Sequence, residues 1–401
     1  MSQSGLRTAS RILDLFSEEE RDYLVSLRRA LHRNPELSWG EERTAAALEE
    51  ALHWAGAADV RRVAGTGVVG SIPGSQRSTH RVAVRGDIDA LPIQEANSIP
   101  FASETPGVMH ACGHDIHAAW TVGAARLLRR QPALCDTTVV LQPAEEVGEG
   151  ARAILESGVL AGVAAIFGGH VDRRFDVGEV VVQAGPMAAA ADTFRIVLLG
   201  KGAHGARPHE AADPVVSAAA LVQALQTIVA RRLDPAHPAV VTVGAIHGGE
   251  APNVIPEQVV LEGTLRATLP EVRELVHAEV RRLAHGVAAT YGLEVTVDIE
   301  HGPPPLINHP EATLWAREAV LELLGAEALR PYGTINLAGE DFACYLERIP
   351  GAFLRIGARD PSREWWPAHS PRFLPAEESL FVGAAVLAAC ARRAAASLAA
   401  A

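Results

Sequence analysis

Apolar residues recur at helical spacing near the start of the chain, over Glu18–Leu31 and again over Glu41–Trp54, and each stretch predicts an amphipathic helix. Beyond them the period changes. Arg81–Arg85, Thr138–Leu141 and Ala164–Phe167 read as strands, with helices predicted over Ala118–Arg130 and around Ala151–Ser157. Strands separated by helices predict an α/β fold with a mainly parallel sheet and helices on both faces.

A second pattern begins after Gly185-Pro186 and ends at Gly302-Pro303-Pro304-Pro305. Between these breaks the chain reads strand Thr193–Leu199, helix Pro214–Arg231, strands Val240–Ile246 and Val259–Arg266, helix Glu271–Tyr291 and strand Glu294–Ile299. That order, β-α-β-β-α-β, predicts a ferredoxin-like domain at 187–302, inserted into a first domain made of 1–186 and 303–401. The first domain resumes with helix Glu311–Leu324, a strand near Phe353–Ile356 and a terminal helix from Ser379 to Ala401. That last helix is apolar, but Arg392 and Arg393 interrupt it, which favours packing in a core over spanning a membrane.

Composition narrows the picture. A chain of 401 residues with 48% hydrophobic and 21% charged residues is an ordinary globular protein long enough for two domains. Its net charge of -12 argues against nucleic acid, whose phosphates call for a basic face. Met1–Glu20 lacks the apolar core of a secretory leader. Cys112, Cys135, Cys344 and Cys390 are widely spaced without a paired framework, so reduced thiols and a cytoplasmic location are expected.

The chemistry concentrates in Met109-His110-Ala111-Cys112-Gly113-His114-Asp115-Ile116-His117, which sets a thiol, three imidazoles and a carboxylate close together. Cys and His suit a borderline-soft divalent metal, and Gly113 lets the backbone turn tightly between two of them. Three predicted strands run directly into more such residues: Asp87 and Asp89 in one case, Glu145 and Glu146 in another, His170 in the third. Ligands gather at the carboxyl ends of strands in an open α/β sheet. Singly, an Asp-x-Asp is often a turn, a Glu pair a solvated face and a lone His a surface residue. Their repetition at strand ends favours a metal site. Within it Glu146 can bind metal while Glu145 moves a proton, and Cys112 has lone pairs enough to bridge two ions. Gly65-Thr66-Gly67-Val68-Val69-Gly70 matches a dinucleotide glycine pattern, but Ser71-Ile72-Pro73-Gly74 reads as the end of a strand and not as the required helix.

These residues fall in segments that resemble the dinuclear metallo-amidohydrolases, a family of aminoacylases, hippurate hydrolases, indole-acetyl-amino-acid hydrolases and N-acetyldiaminopimelate deacetylases. The segments are His32-Arg33-Asn34-Pro35-Glu36-Leu37, Arg85-Gly86-Asp87-Ile88-Asp89-Ala90-Leu91-Pro92, His110-Ala111-Cys112-Gly113-His114-Asp115 and Gln142-Pro143-Ala144-Glu145-Glu146. Gly169-His170, Gly202-Ala203-His204-Gly205, Ala251-Pro252-Asn253-Val254-Ile255-Pro256, Gly263-Thr264-Leu265-Arg266, Gly339-Glu340-Asp341-Phe342 and His369 follow in family order.

The resemblance implies two divalent metal ions per subunit, zinc or manganese with cobalt as a further option. Cys112 would bridge them, His114 and His170 would complete one site, and Glu146 and His369 the other. Glu145 would be the general base and acid, with Asp87 and Asp89 orienting ligands. His204 and Asn253, in the inserted lid or dimerisation domain, would hold the substrate carbonyl and carboxylate. Arg266 would act as a carboxylate clamp or, equally, in a structural salt bridge. The implied reaction is hydrolysis of an N-acyl amino acid by a homodimer or higher homo-oligomer, with neither nucleic acid nor membrane as partner. A dipeptidase with the same centre, a metal-free thiol hydrolase using Cys112, and a non-catalytic metal-binding protein are the alternatives. The chain departs from the family at Ala376-Glu377, where an Asp-Glu pair is usual, and at Leu337-Ala338-Gly339-Glu340, where small polar residues are commoner.

Overall fold

The computed structural model describes residues 11–400. Ala401, the end of the predicted terminal helix, and the first ten residues of the segment read as lacking a leader lie outside them. The chain forms two compact units. One takes in the chain up to Gly185, Ile307–Gly333 and everything from Cys344; the other comprises Pro186–Leu306 and Thr334–Ala343.

In chain order the first unit supplies helices α1 (Glu18–Arg33) and α2 (Glu42–Ala55), strands β1 (Ala58–Val63), β2 (Gly67–Ile72) and β3 (Arg81–Asp87), helix α3 (His114–Arg130), strand β4 (Asp136–Gln142), helix α4 (Gly150–Glu156), and strands β5 (Val163–Asp176) and β6 (Val180–Val181). The second unit follows with β7 (Ala190–Leu199), α5 (Pro214–Thr227), β8 (Ala239–His247), β9 (Gln258–Ala267), α6 (Pro270–Tyr291) and β10 (Glu294–Glu300). The first then resumes with α7 (Pro310–Leu324), β11 (Gly351–Arg359) and α8 (Ser379–Ala400).

The sheet of the first unit has the order β1-β2-β4-β3-β5-β11-β6. Its four inner strands are parallel, whereas β1, β2 and β6 pair antiparallel at the edges. The crossovers β3-α3-β4 and β4-α4-β5 travel in opposite directions along the sheet. Right-handed connections therefore put α3 and α4 on opposite faces. The apolar α8 is a core helix: Leu380, Val386 and Leu387 are fully buried, and the ring of Trp120 on α3 fills the space beside Gly383.

Three boundaries depart from the sequence reading. Helix α3 begins at His114 and not at Ala118, so much of the Cys/His motif sits on its first turn. Strand β5 does not stop at Phe167: Gly168, Gly169 and His170 pair onward with Phe353, Leu354 and Arg355 of β11. Thr334–Ala343 belongs to the second unit, although 303–401 reads as a return to the first; Asn336 bridges to Ala188, and Gly339 leaves no room for a Cβ against Ala191.

The second unit is an antiparallel sheet of order β8-β9-β7-β10, the ferredoxin-like arrangement. Alternation along β7 turns Phe194, Ile196 and Leu198 into a core shared with Leu221 and Leu225 of α5 and Val276 and Val280 of α6.

Candidate metal centre

The parallel register sets Asp87 beside Gln142, so β3 and β4 end level with one another and their loops leave from one edge of the sheet. The motif loop is held beside the first of these ends, because Met109 and Leu91 exchange backbone hydrogen bonds, both 3.0 Å. Gly113 follows with φ +92°, where a Cβ would lie 2.7 Å from Val171 Cγ2. Only glycine fits that combination of left-handed backbone and close approach. The second loop bends at Ala144 (φ +52°), whose N–H donates to Glu41 Oε1 at 2.9 Å, and then presents Glu145 and Glu146. His369 also adopts a left-handed conformation (φ +65°), and its N–H donates to the carbonyl of Ala111 beside Cys112 at 2.8 Å.

These loops bring ligand-type atoms together. Cys112, His114 and His170 offer atoms within 4.8 Å of one another; so do Cys112, Glu146 and His369, and also His114, Glu145 and Glu146. Cys112 Sγ stands 3.1 Å from His170 Nε2, and Glu146 Oε2 3.6 Å from His369 Nε2. Two three-residue groups thus share one thiol.

The imidazoles are oriented by what their other nitrogens bind. His114 Nδ1 donates to the carbonyl oxygen of Asp89 at 3.0 Å and lies 3.1 Å from Asp89 Oδ1, which leaves Nε2 facing Glu145 and Glu146, each at 3.8 Å. His170 Nδ1 donates to the carbonyl of Val171 at 2.7 Å, so its Nε2 lone pair faces Cys112. Asp89 Oδ2 accepts from the Glu146 N–H (2.9 Å) and the Ser38 hydroxyl (2.7 Å), so one carboxylate braces residues of both groups. Asp87 does not reach out of the protein: it accepts from Arg85 (2.5 Å) and His117 (2.6 Å).

Burial raises the Cys112 thiol well above its ordinary range, and the Glu146 charge adds to this. Burial also raises Glu146 to about 7, against the pull of His114. For His114 burial acts downward, but Asp87 and Asp89 reverse it and hold the imidazole well above its usual value. Burial, helped by His117, drives His170 far down. Two buried atoms, His114 Nε2 and Glu146 Oε1, have no hydrogen-bond partner. Leaving such groups unsatisfied is costly, and a cation with Cys, His and carboxylate donors satisfies both. The residues present fit divalent metal.

Asp87, His114 and His117 are close enough to form a further group, but His117 has no lone pair to offer. Its Nε2 accepts the Val171 N–H at 3.0 Å and its Nδ1–H is given to Asp87. Neither His117 nor the chain Arg85–Gln142–Tyr345 behind Asp87 (2.7 Å and 3.0 Å) figures among the expected site residues. The available signal was the spacing of His114 and His117, which share a helix face at i, i+3 once α3 starts at His114.

The remaining expected residues lie in the second unit. His204 and Asn253 are exposed neighbours: His204 pairs with Val254, and the Gly205 N–H donates to the Asn253 carbonyl at 2.7 Å. His204 Nδ1 accepts the Ala206 N–H at 3.0 Å, which leaves Nε2 as the donor nitrogen of the ring. Arg266, half-buried on β9, donates to the Leu265 carbonyl at 3.3 Å.

A family model described as peptidase family M20/M25/M40 matches residues 83–393. The chain is 42% identical over 352 residues to an N-acetyl-L-cysteine deacetylase of Bacillus subtilis, covering 87% of this chain and 83% of that one. It is 38% identical over 379 residues to an IAA-amino acid hydrolase of Arabidopsis thaliana, covering 93% and 86%. Among solved structures, a dinuclear metal-binding peptidase of family M20 from Bacillus subtilis superposes with a TM-score of 0.83 at 36% identity, covering 94% of this chain and 98% of the other.

Proposed function

The chain belongs to peptidase family M20/M25/M40, and from that premise we propose that it hydrolyses the amide bond of N-acyl amino acids with two divalent metal ions, releasing a carboxylic acid and a free amino acid. The observation that carries this reading is the pair of ligand groups sharing Cys112, with Glu145 at their edge. The relatives named for deacetylation of N-acetyl-L-cysteine and for hydrolysis of IAA-amino acids support the substrate class.

Cys112, His114 and His170 would hold one ion, and Cys112, Glu146 and His369 the other. When bound, the ions supply Lewis acidity for the scissile carbonyl and a nucleophilic water at neutral pH. Glu145 takes the proton of the attacking water and returns it to the departing amine. The Nε2–H of His204 is a donor suited to the oxyanion of the tetrahedral species, and Asn253 and Arg266 are suited to the substrate carboxylate. Asp87 and Asp89 orient the imidazoles and the Glu146 backbone. Zinc or manganese is the proposed metal. We further propose a cytoplasmic homodimer with no nucleic-acid or membrane partner, in which the second unit serves as lid and dimerisation domain.

The test is amine release from a panel of N-acyl amino acids, hippurate and acetylated residues included, before and after chelation with metal added back. Release that stops with chelator and returns with metal is the expected result. Release indifferent to chelator would point to Cys112 as a nucleophile and reject the metal mechanism. Metal binding without release from any substrate would reject the substrate class.

A further inference from the structure

His117 is fully buried, stands one helical turn from His114, and has both ring nitrogens committed to Asp87 and the Val171 N–H, neither of which is a proposed ligand. A backbone N–H can only donate, so the Val171 N–H at 3.0 Å makes Nε2 an acceptor and leaves the ring proton on Nδ1, directed at Asp87 Oδ1 (2.6 Å). The ring itself cannot slide: Trp120 stacks on it at 4.4 Å with planes 22° apart, and His170 meets it edge-on at 4.6 Å.

Val171 links the helix to the strand through both of its backbone polar groups. Its N–H is taken by His117, and its carbonyl accepts His170 Nδ1–H at 2.7 Å. The single residue whose backbone carbonyl orients His170 is therefore tied through its N–H to the helix that begins with His114. Helix and strand are thereby locked at the spacing that brings the ligand-type atoms of His114, His170 and Cys112 together.

We propose that His117 is a positioning residue, joining α3 to β5 through the Val171 N–H so that His114 and His170 face Cys112 at one metal site. The proposal rests on the metal reading above. It assigns the decisive contact to Nε2 and a supporting one to Nδ1, and these can be separated. In His117→Gln the amide oxygen reaches the Nε2 position and still accepts from Val171. In His117→Asn the shorter amide can serve Asp87 but leaves the Val171 N–H unpaired.

The experiment is titration of metal-stripped wild-type protein and both variants with cobalt(II), read by the thiolate-to-cobalt charge-transfer and ligand-field bands, with circular dichroism and a thermal melt to verify folding. Wild-type protein is expected to take up two ions. His117→Asn should bind one of the two about tenfold or more weakly, with altered bands, while the other ion is held as before. His117→Gln should restore both affinity and spectrum to within about threefold. Equal binding by His117→Asn and wild type would overturn the proposal, as would a Gln variant that fails as badly as Asn. If neither variant folds, His117 is a core residue and not a positioning one. Wild-type protein that binds no cobalt would overturn the metal reading itself, an outcome distinct from any difference between variants.

Discussion

At the scale of single residues, the centre divides its labour between side chains that differ in what their backbone does. Both carboxylates stand 3.8 Å from His114 Nε2, but Glu146 is braced by Asp89 through its own N–H, whereas the backbone carbonyl of Glu145, one residue earlier, accepts the Gly148 N–H at 2.8 Å. Glu145→Ala should therefore reduce kcat by at least about a hundredfold, the usual size of a proton-transfer contribution, with two metal ions per chain still found by elemental analysis. Near-native turnover in that variant would move the proton transfer to another group. Cys112, His114, Glu145, Glu146 and His170 were legible in the sequence because thiol, imidazole and paired carboxylates are rare enough in one motif and at strand ends for co-occurrence to carry weight, whereas His369 was legible only through the family resemblance. For His117 the motif and its i, i+3 spacing from His114 marked the residue but not its role, which depends on the N–H of Val171, 54 positions away.

At the scale of elements, the centre depends on how closely α3 approaches β3. A Cβ on Gly86 would lie 2.4 Å from Thr121 Oγ1 and 2.5 Å from the His117 carbonyl oxygen. The first contact could yield by rotating a side chain, but the second is backbone within α3. Gly86→Ala must therefore push the helix from the sheet, at a cost of about 1–3 kcal/mol, visible as a lower urea midpoint with unchanged slope. Because α3 opens with His114, the same variant should bind metal more weakly, and Thr121→Ala added to it should recover only part of the loss. A Gly86→Ala protein as stable as wild type would mean the helix has slack, and the metal site with it. The strands and helices of this region were readable from periodicity, yet the two boundaries that matter were not. Polar His114, Asp115 and His117 mask the first turn of α3, where burial and not amphipathic pattern makes them helical. Gly168-Gly169 looks like a strand terminus, although pairing with β11 carries β5 through it.

At the scale of the whole molecule, the two units have separate hydrophobic cores, and each also buries its own charged network. In the first, Arg28, His32 and Asp115 pair out of solvent (2.7 Å and 2.8 Å). In the second, Asp192 on β7 accepts from Arg273 and His277 of α6, at 2.5–2.8 Å. Burial by itself would raise the Asp192 carboxyl, but those hydrogen bonds hold it at about 2. The folded carboxyl stays ionised where the unfolded one, near 3.9, would take up a proton. Its contribution, about 2–3 kcal/mol, is therefore complete above pH about 5 and is lost progressively as the pH falls toward 1. Asp192→Asn should accordingly destabilise the second unit at pH 7, and the deficit relative to wild type should close over that acid interval in denaturant melts. Asp192, Arg273 and His277 all lie in the second unit, while the proposed ligands all lie in the first. The same substitution should thus leave cobalt affinity unchanged. A variant that lost stability and metal together would show that the units are energetically coupled, and the second unit would then have to be counted as part of the proposed metal centre's support.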